Sequence, residues 1–207
     1  TPRHWAGTYY RSGMDSERIE SYGLEPIRPL LDRIDALARL DDLRSLGATL
    51  LPFGVTMPVG MGIFPDFEDS GRNLLYVGQA GLGLPERDYY FRDDAETVET
   101  RRAYVEHVAA MLGLAGEEDP AAAAAAVMEL ETSLAEAAHT ATEQRDLDLV
   151  FNRFSYEDLA DLMPGYELPT LLTSIGATNV ESVNVGNPHF LTAAASILAD
   201  TSPETLR

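Results

Sequence analysis

The sequence contains no cysteine and no lysine; all fifteen of its basic residues are arginine. Without cysteine there is neither a disulfide framework nor a thiolate metal site. Without lysine there is no Gly-Lys-Ser/Thr phosphate loop and no amine nucleophile. Long apolar runs are missing too: none approaches the length that spans a bilayer, and no charged-then-apolar signal segment opens the chain. Positive charge is scarce, 15 basic residues against 34 acidic ones, for a formal net charge of −19 spread along the chain. Such a field repels nucleic acid and anionic membrane, so neither is an expected partner. Also absent are an H-E-x-x-H zinc motif and a G-x-S-x-G nucleophile elbow.

What is present is ordinary globular material. The 207 residues are 45% apolar and 24% charged, enough for one large domain or two small ones. Arginine in place of lysine, with abundant Ala, Asp and Glu, points to a GC-rich bacterial or halophilic source. Residues 3–20 and 26–46 read as helices separated at Gly23, followed by the apolar run Leu50-Leu51-Pro52-Phe53. Asp93 to Glu96 forms a capping box for a helix with Tyr104, Val108, Met111 and Leu112 on one face, ending between Gly113 and Gly116. Asp119-Pro120 opens the next helix, where Ala121 to Ala126 supply propensity and Val127, Leu130 and Leu134 supply the stripe. Ser155 to Asp158 starts a short helix through Leu162, closed by Pro164-Gly165, and Asn187-Pro188 opens another through Leu198. The closing Ser202-Pro203-Glu204 is a helix start with nowhere to go, and the chain opens on Thr1; both ends read as cuts from a longer protein.

The period changes between about 55 and 80. Val55 to Phe64 and Leu74 to Val77 are β-type segments joined across the turn-rich stretch Asp66 to Asn73. The expected fold class is therefore mainly α, a helical lobe with one small inserted β-hairpin, with no repeat and no linker marking a domain boundary.

Candidate chemistry is thin. Gly81-Leu-Gly83-Leu-Pro85-Glu86 has glutamate where a dinucleotide fingerprint needs its third glycine, and Glu86 and Asp88 repel a pyrophosphate. The structural reading is a stiff corner, its exit set by Pro85, with Arg87 and Asp88 bonded locally and Tyr89, Tyr90 and Phe91 anchoring it. Of the four histidines, only His139 has a carboxylate at E-x-x-H spacing, Glu136, which on one helix face resembles half of a carboxylate-bridged metal bundle; no second pair exists. His4, His107 and His189 carry no ligand pattern. Tyr9-Tyr10-Arg11 reads as an aromatic face packed into a core rather than a stacking platform.

The linear text nonetheless resembles one family, the neprilysin and endothelin-converting-enzyme zinc metallopeptidases. Tyr10-Arg-Ser12 with Met14-Asp15, then Gly23 to Pro26 and Leu30-Leu31, is similar to its "YRSC" block. Gln79-Ala-Gly81-Leu-Gly83-Leu-Pro85-Glu-Arg87-Asp88-Tyr89-Tyr90 is similar to its "Q..LGLP.RDYY" signature. Tyr104-Val105, Met128 to Glu131, Arg145-Asp146 and Phe151-Asn152 follow in the family's order. The departures are Gly13 for the cysteine of animal members, Phe151 for the usual tyrosine, and a short segment after Pro164 that lacks the common tryptophan. The resemblance implies that residues 1–207 are part of the N-terminal helical lobe that covers a catalytic lobe and closes a cavity around peptide substrates. Zinc then belongs to the full-length enzyme and none to this chain; no catalytic or metal residue carries over, and the substrate-binding residues are left unknown. Loss of the cysteine favours a cytoplasmic bacterial member, with secretion or the cell envelope left open. The alternatives are a non-enzymatic helical interaction domain and, on Glu136 and His139, the metal-binding bundle.

Overall fold

The structure, a computed structural model, describes residues 2–55, 58–178 and 180–207, and the side chains of all of these except Pro2 and Arg3. The chain divides into two compact units, Thr1–Ala36 and Leu37–Arg207.

The first unit holds helices α1 (Pro2–Gly13), α2 (Ser16–Tyr22) and α3 (Arg28–Asp35). The long helix expected over 3–20 is broken at Met14-Asp15, because the Asp15 carboxylate accepts the Arg18 N–H (3.2 Å) and so caps a new helix. Gly23 then ends α2 at positive φ. No described side chain of this unit is buried, and Tyr9 and Tyr10 are 84% and 67% exposed. The expectation that these two rings sit in a core is therefore corrected: the short helices of this unit enclose no core for them to enter.

The second unit opens with α4 (Leu40–Leu50), started where the Asp42 carboxylate accepts the N–H groups of Ala38 and Arg39, each at 3.0 Å. That cap, with Ala36 ending α3, splits the second long helix expected over 26–46. Strands β1 (Val59–Pro65) and β2 (Asn73–Gln79) form the expected antiparallel hairpin; Thr56 and Met57, in the expected first segment, lie outside the described residues. The hairpin is half of a larger sheet. Strand β3 (Arg153–Ser155) pairs antiparallel with β4 (Ser182–Val185), and β4 runs parallel to β2, giving the order β1-β2-β4-β3.

Helices α5 (Ala95–Ala115) and α6 (Pro120–Ala137) form an antiparallel-style pair joined by a short turn at Gly116. The cap of α5 is Asp94, one residue beyond the expected position, because Thr97 gives it both a backbone N–H (3.0 Å) and a hydroxyl (2.8 Å). Met111, expected on the apolar face of α5, is 52% exposed. Asp119 caps α6 as expected, and Ala124 and Ala135 are buried, which explains why small residues fill this helix.

Short helices α7 (Leu147–Val150), α8 (Leu159–Leu162) and α9 (Leu168–Ser174) lead into α10 (Pro188–Asp200) and α11 (Pro203–Leu206). The core gathers on α10, whose Phe190, Leu191 and Ala194 are fully buried and whose contacts run to α6 and β2. Each such large side chain contributes about 1.5–3 kcal/mol of burial. The segment after Pro164, unread in the sequence, supplies Tyr166, Leu168 and Leu172 to the same core. Burial pushes the Tyr166 hydroxyl up to about 12, with Arg44 pulling partly the other way.

Candidate functional site

The corner after β2 is built from the residues the sequence singles out, and most of them turn inward on their own chain. Gly81 sits at φ +85°, a conformation that disfavours any side chain, with the Pro58 backbone 3.0 Å from where a Cβ would be. A Cβ on Gly83 would fall on the Tyr104 hydroxyl. Past Pro85, a single 3₁₀ turn spans Arg87–Tyr90. Tyr90 is buried; its hydroxyl accepts the Leu84 N–H (3.1 Å) and donates to Glu131 Oε2 (2.6 Å). Tyr104, from α5, donates to the other oxygen of Glu131 (2.7 Å). One carboxylate of α6 thus holds a tyrosine of the corner and a tyrosine of α5 together. Burial first, then the hydrogen bond to Glu131, raises both hydroxyls well above the ordinary tyrosine value.

The ends of the corner are fixed as firmly. Arg101 donates one guanidinium nitrogen to the carbonyls of Tyr89 and Arg92, both at 2.7 Å. Arg87 lies 4.8 Å over the Phe91 ring and 3.5 Å from the Asp88 carboxylate, with Tyr89 packed beside the buried Leu84 and Tyr90. At the start, Gln79 is a junction: its amide donates to the His139 carbonyl (3.1 Å), and its Oε1 accepts the His139 N–H (2.7 Å) and the Asn187 side chain (3.0 Å). Asn187 in turn caps α10 through Phe190 N–H (2.9 Å) and reaches the Ala137 carbonyl (3.2 Å). Three separate stretches of chain are tied at one glutamine.

Other candidates fall apart as sites. Helix α6 ends at Ala137, so His139 is off the helix and Glu136 is exposed; the one-face geometry behind the metal-bundle alternative is not formed. Among the described residues no three His, Asp or Glu side chains group as a metal site. His4, His107 and His189 are exposed. Arg145 is exposed, and Asp146 caps α7 by accepting the Asp148 N–H (3.0 Å). Two buried side-chain atoms, Glu86 Oε2 and His139 Nδ1, have no hydrogen-bond partner among the described residues.

A cavity of about 930 Å³ lies on the sheet face that carries Gly60, Gly62 and Gly78. One wall is aromatic: Phe64 and Phe67 meet Tyr76 edge-on at 5.4 and 5.9 Å. Near it Arg153 holds both oxygens of Asp66 (2.9 and 2.8 Å) and Glu68 (2.9 Å), tying β3 to the hairpin turn. The hydrogen bond from Arg153, then the Glu68 N–H, lowers the Asp66 carboxyl below its usual range.

Sequence reasoning did not foresee Glu131, Arg101 or the junction at Gln79. Glu131 was visible in principle: it sits four residues after Val127 and three before Leu134, a carboxylate on an otherwise apolar stripe.

A family model described as Peptidase family M13 matches residues 2–207. The chain belongs to peptidase family M13. Within it, the chain is the N-terminal region of a member of the neprilysin and endothelin-converting-enzyme group. It is 24% identical over 209 residues to endothelin-converting enzyme 1 of Cavia porcellus, covering 95% of this chain and 28% of that protein. Its fold is similar to the zinc metalloprotease Zmp1 of Mycobacterium tuberculosis in the open state, with TM-score 0.86 and 32% identity, covering 95% of this chain and 31% of that one. PepO from Lactobacillus rhamnosis shares the fold at TM-score 0.73 and 23% identity over 89% of this chain and 29% of its own. The chain spans less than a third of the length of these relatives.

Proposed function

We propose that this chain is the cavity-covering lobe of a zinc-dependent endopeptidase, shaping the space that admits peptides while bond cleavage is done elsewhere in the full-length protein. The observation that carries this reading is the family match over residues 2–207 in a sequence without H-E-x-x-H. The residues present do not fit zinc: the E-x-x-H pair is split by the end of α6, and among the described residues no three His, Asp or Glu side chains group as a metal site. No catalytic step is therefore assigned to any side chain of this chain. In the complete enzyme a zinc ion, held by residues outside this chain, would supply Lewis-acid chemistry for peptide hydrolysis. The work of this lobe is to hold its own form and to face the catalytic lobe, its intramolecular partner.

The test compares the 207-residue chain with the full-length protein on a quenched fluorogenic peptide, alongside metal analysis of both. The expected result is cleavage by the full-length protein that a chelator abolishes and zinc restores. The 207-residue chain is expected to hold no stoichiometric zinc and to cleave nothing. Chelator-sensitive cleavage by the short chain, or none by the full-length protein, overturns the proposal.

A further inference from the structure

Among the described residues, the outer edge of β1 carries unpaired backbone. Two flanking bonds set the phase of the hairpin: Ala80 N–H to the Pro58 carbonyl and Asp66 N–H to the Arg72 carbonyl, both 2.9 Å. With the pairing Gly60↔Gly78 through Phe64↔Leu74, the even-numbered residues of β1 bond across to β2. Bonding alternates along an antiparallel strand, so the N–H and C=O groups of Met61 and Ile63 point away from β2. β1 ends the sheet, and among the described residues no strand pairs with that side. Protected edges carry a charge, a bulge or a mid-strand proline. The strand Val59-Gly-Met-Gly-Ile-Phe-Pro65 pairs without a bulge, has no charge, and has its proline only at the last position.

The surroundings define what would fit. Ile63 is 71% exposed on the sheet face opposite Phe64, where it lines a shallow hollow with Arg72, Leu75 and Ala177. At the Pro65 end lies the turn Asp66-Phe-Glu-Asp69, where Arg153 offsets Asp66 and Glu68 but Asp69 makes no ion pair among the described residues. A net charge of −19 on each copy opposes a β1-to-β1 dimer and attracts a cationic segment.

We propose that β1 binds an extended peptide by strand addition, its backbone pairing with Met61 and Ile63 and a basic residue reaching the Glu68–Asp69 turn. Main-chain bonds supply the affinity and the turn supplies the charge preference. That such a peptide is one the intact enzyme handles rests on the peptidase reading; the strand addition itself does not.

The experiment is residue-resolved amide hydrogen exchange on the 207-residue chain with and without the peptide acetyl-Arg-Thr-Val-Thr-Val-Arg-amide. At saturating peptide, exchange at Met61 and Ile63 is expected to slow at least about tenfold. Ile63→Pro removes a donor that β2 does not use, so it should abolish the protection while the chain stays folded by circular dichroism. Ile63→Lys, which keeps the donor and adds an edge charge, should weaken binding, as should Asp69→Asn at low salt. Unchanged exchange at Met61 and Ile63, or equal affinity in Ile63→Pro, overturns the proposal. So does protection that grows with protein concentration alone, which makes the occupant a second copy. The full-length protein separates the two readings. Peptide cleavage with β1 unprotected refutes strand addition alone, and β1 protection in a protein that cleaves nothing refutes the peptidase reading alone.

Discussion

Two glycine-containing stretches meet at Gln79, the hairpin before it and the corner after it, and Gly78 of the first answers to a different demand from Gly81 and Gly83 of the second. In the corner, Gly83 leaves room for a specific neighbour, the Tyr104 hydroxyl, and Gly81 adopts a backbone angle that a side chain resists. In the hairpin, Gly78 faces open space, with nothing within 4 Å of where its Cβ would be. Around the corner, backbone and side-chain groups find partners in α5, α6 and the loop at His139. Along β1, a row of backbone groups faces outward without a partner among the described residues. The lesson is that glycine content alone does not mark a binding loop. A glycine whose missing side chain is already filled by the chain's own atoms has a structural reason, while one that faces space on a sheet leaves room for something to approach.

This contrast can be broken by substitution. The largest effect is expected from Glu131→Ala, which strips two tyrosine hydroxyls of their charged acceptor; urea denaturation should show a loss of about 3 kcal/mol. Next, Gly83→Ala forces Tyr104 and Glu131 aside and should cost about 1–3 kcal/mol. Its counterpart Gly78→Ala should be neutral or stabilising by up to about 1 kcal/mol, because it meets no neighbour and lowers the entropy of the unfolded chain. Equal costs at the two glycines would erase the distinction.

The titration behaviour sharpens it further. Tyr90 and Tyr104 have their hydroxyls raised above the ordinary value of 10.0, and Tyr166 is raised to about 12. A raised folded value means the native state holds its protons longer, so this stability is complete below pH 10 and is lost as the pH climbs through the folded values. Melting temperature should therefore fall above about pH 10, less steeply in Tyr104→Phe than in the parent. The smallest effect belongs to the hairpin turn. Asp66 is lowered from 3.8 by Arg153, so its contribution is present above that pH and is lost as the pH falls below it. Asp66→Asn should flatten the acid limb of the melting profile slightly, and no change there would remove the Arg153 link from the account.

Much of this fold is legible in the sequence where one residue decides the outcome locally. Asp119, Asn187 and Ser202 cap the helices that follow them, and Gly116 ends α5 in a left-handed turn. What escaped reading depends on distant partners. The strands β3 and β4 are three and four residues long, and they take their place only through pairing, β4 with β2 and β3 with β4. Tyr9 and Tyr10 look like core residues by type, yet burial needs a facing surface that local text does not specify. The corner was recognisable as a stiff element, but the carboxylate that ties its tyrosine to α5 lies forty-one residues further on in α6. Composition and motif spacing cannot report such a contact; only a carboxylate out of place on an apolar stripe hints at it.

The most direct test of this contrast is amide hydrogen exchange across residues 59–91 of the 207-residue chain without added peptide. The Leu84 N–H, held by the buried Tyr90 hydroxyl, should exchange only near the rate set by global unfolding, while Met61 and Ile63 exchange orders of magnitude faster. Fast exchange at Leu84 with protection at Met61 and Ile63 would contradict the account, because it would place the ordered element on the hairpin edge and the open one at the corner.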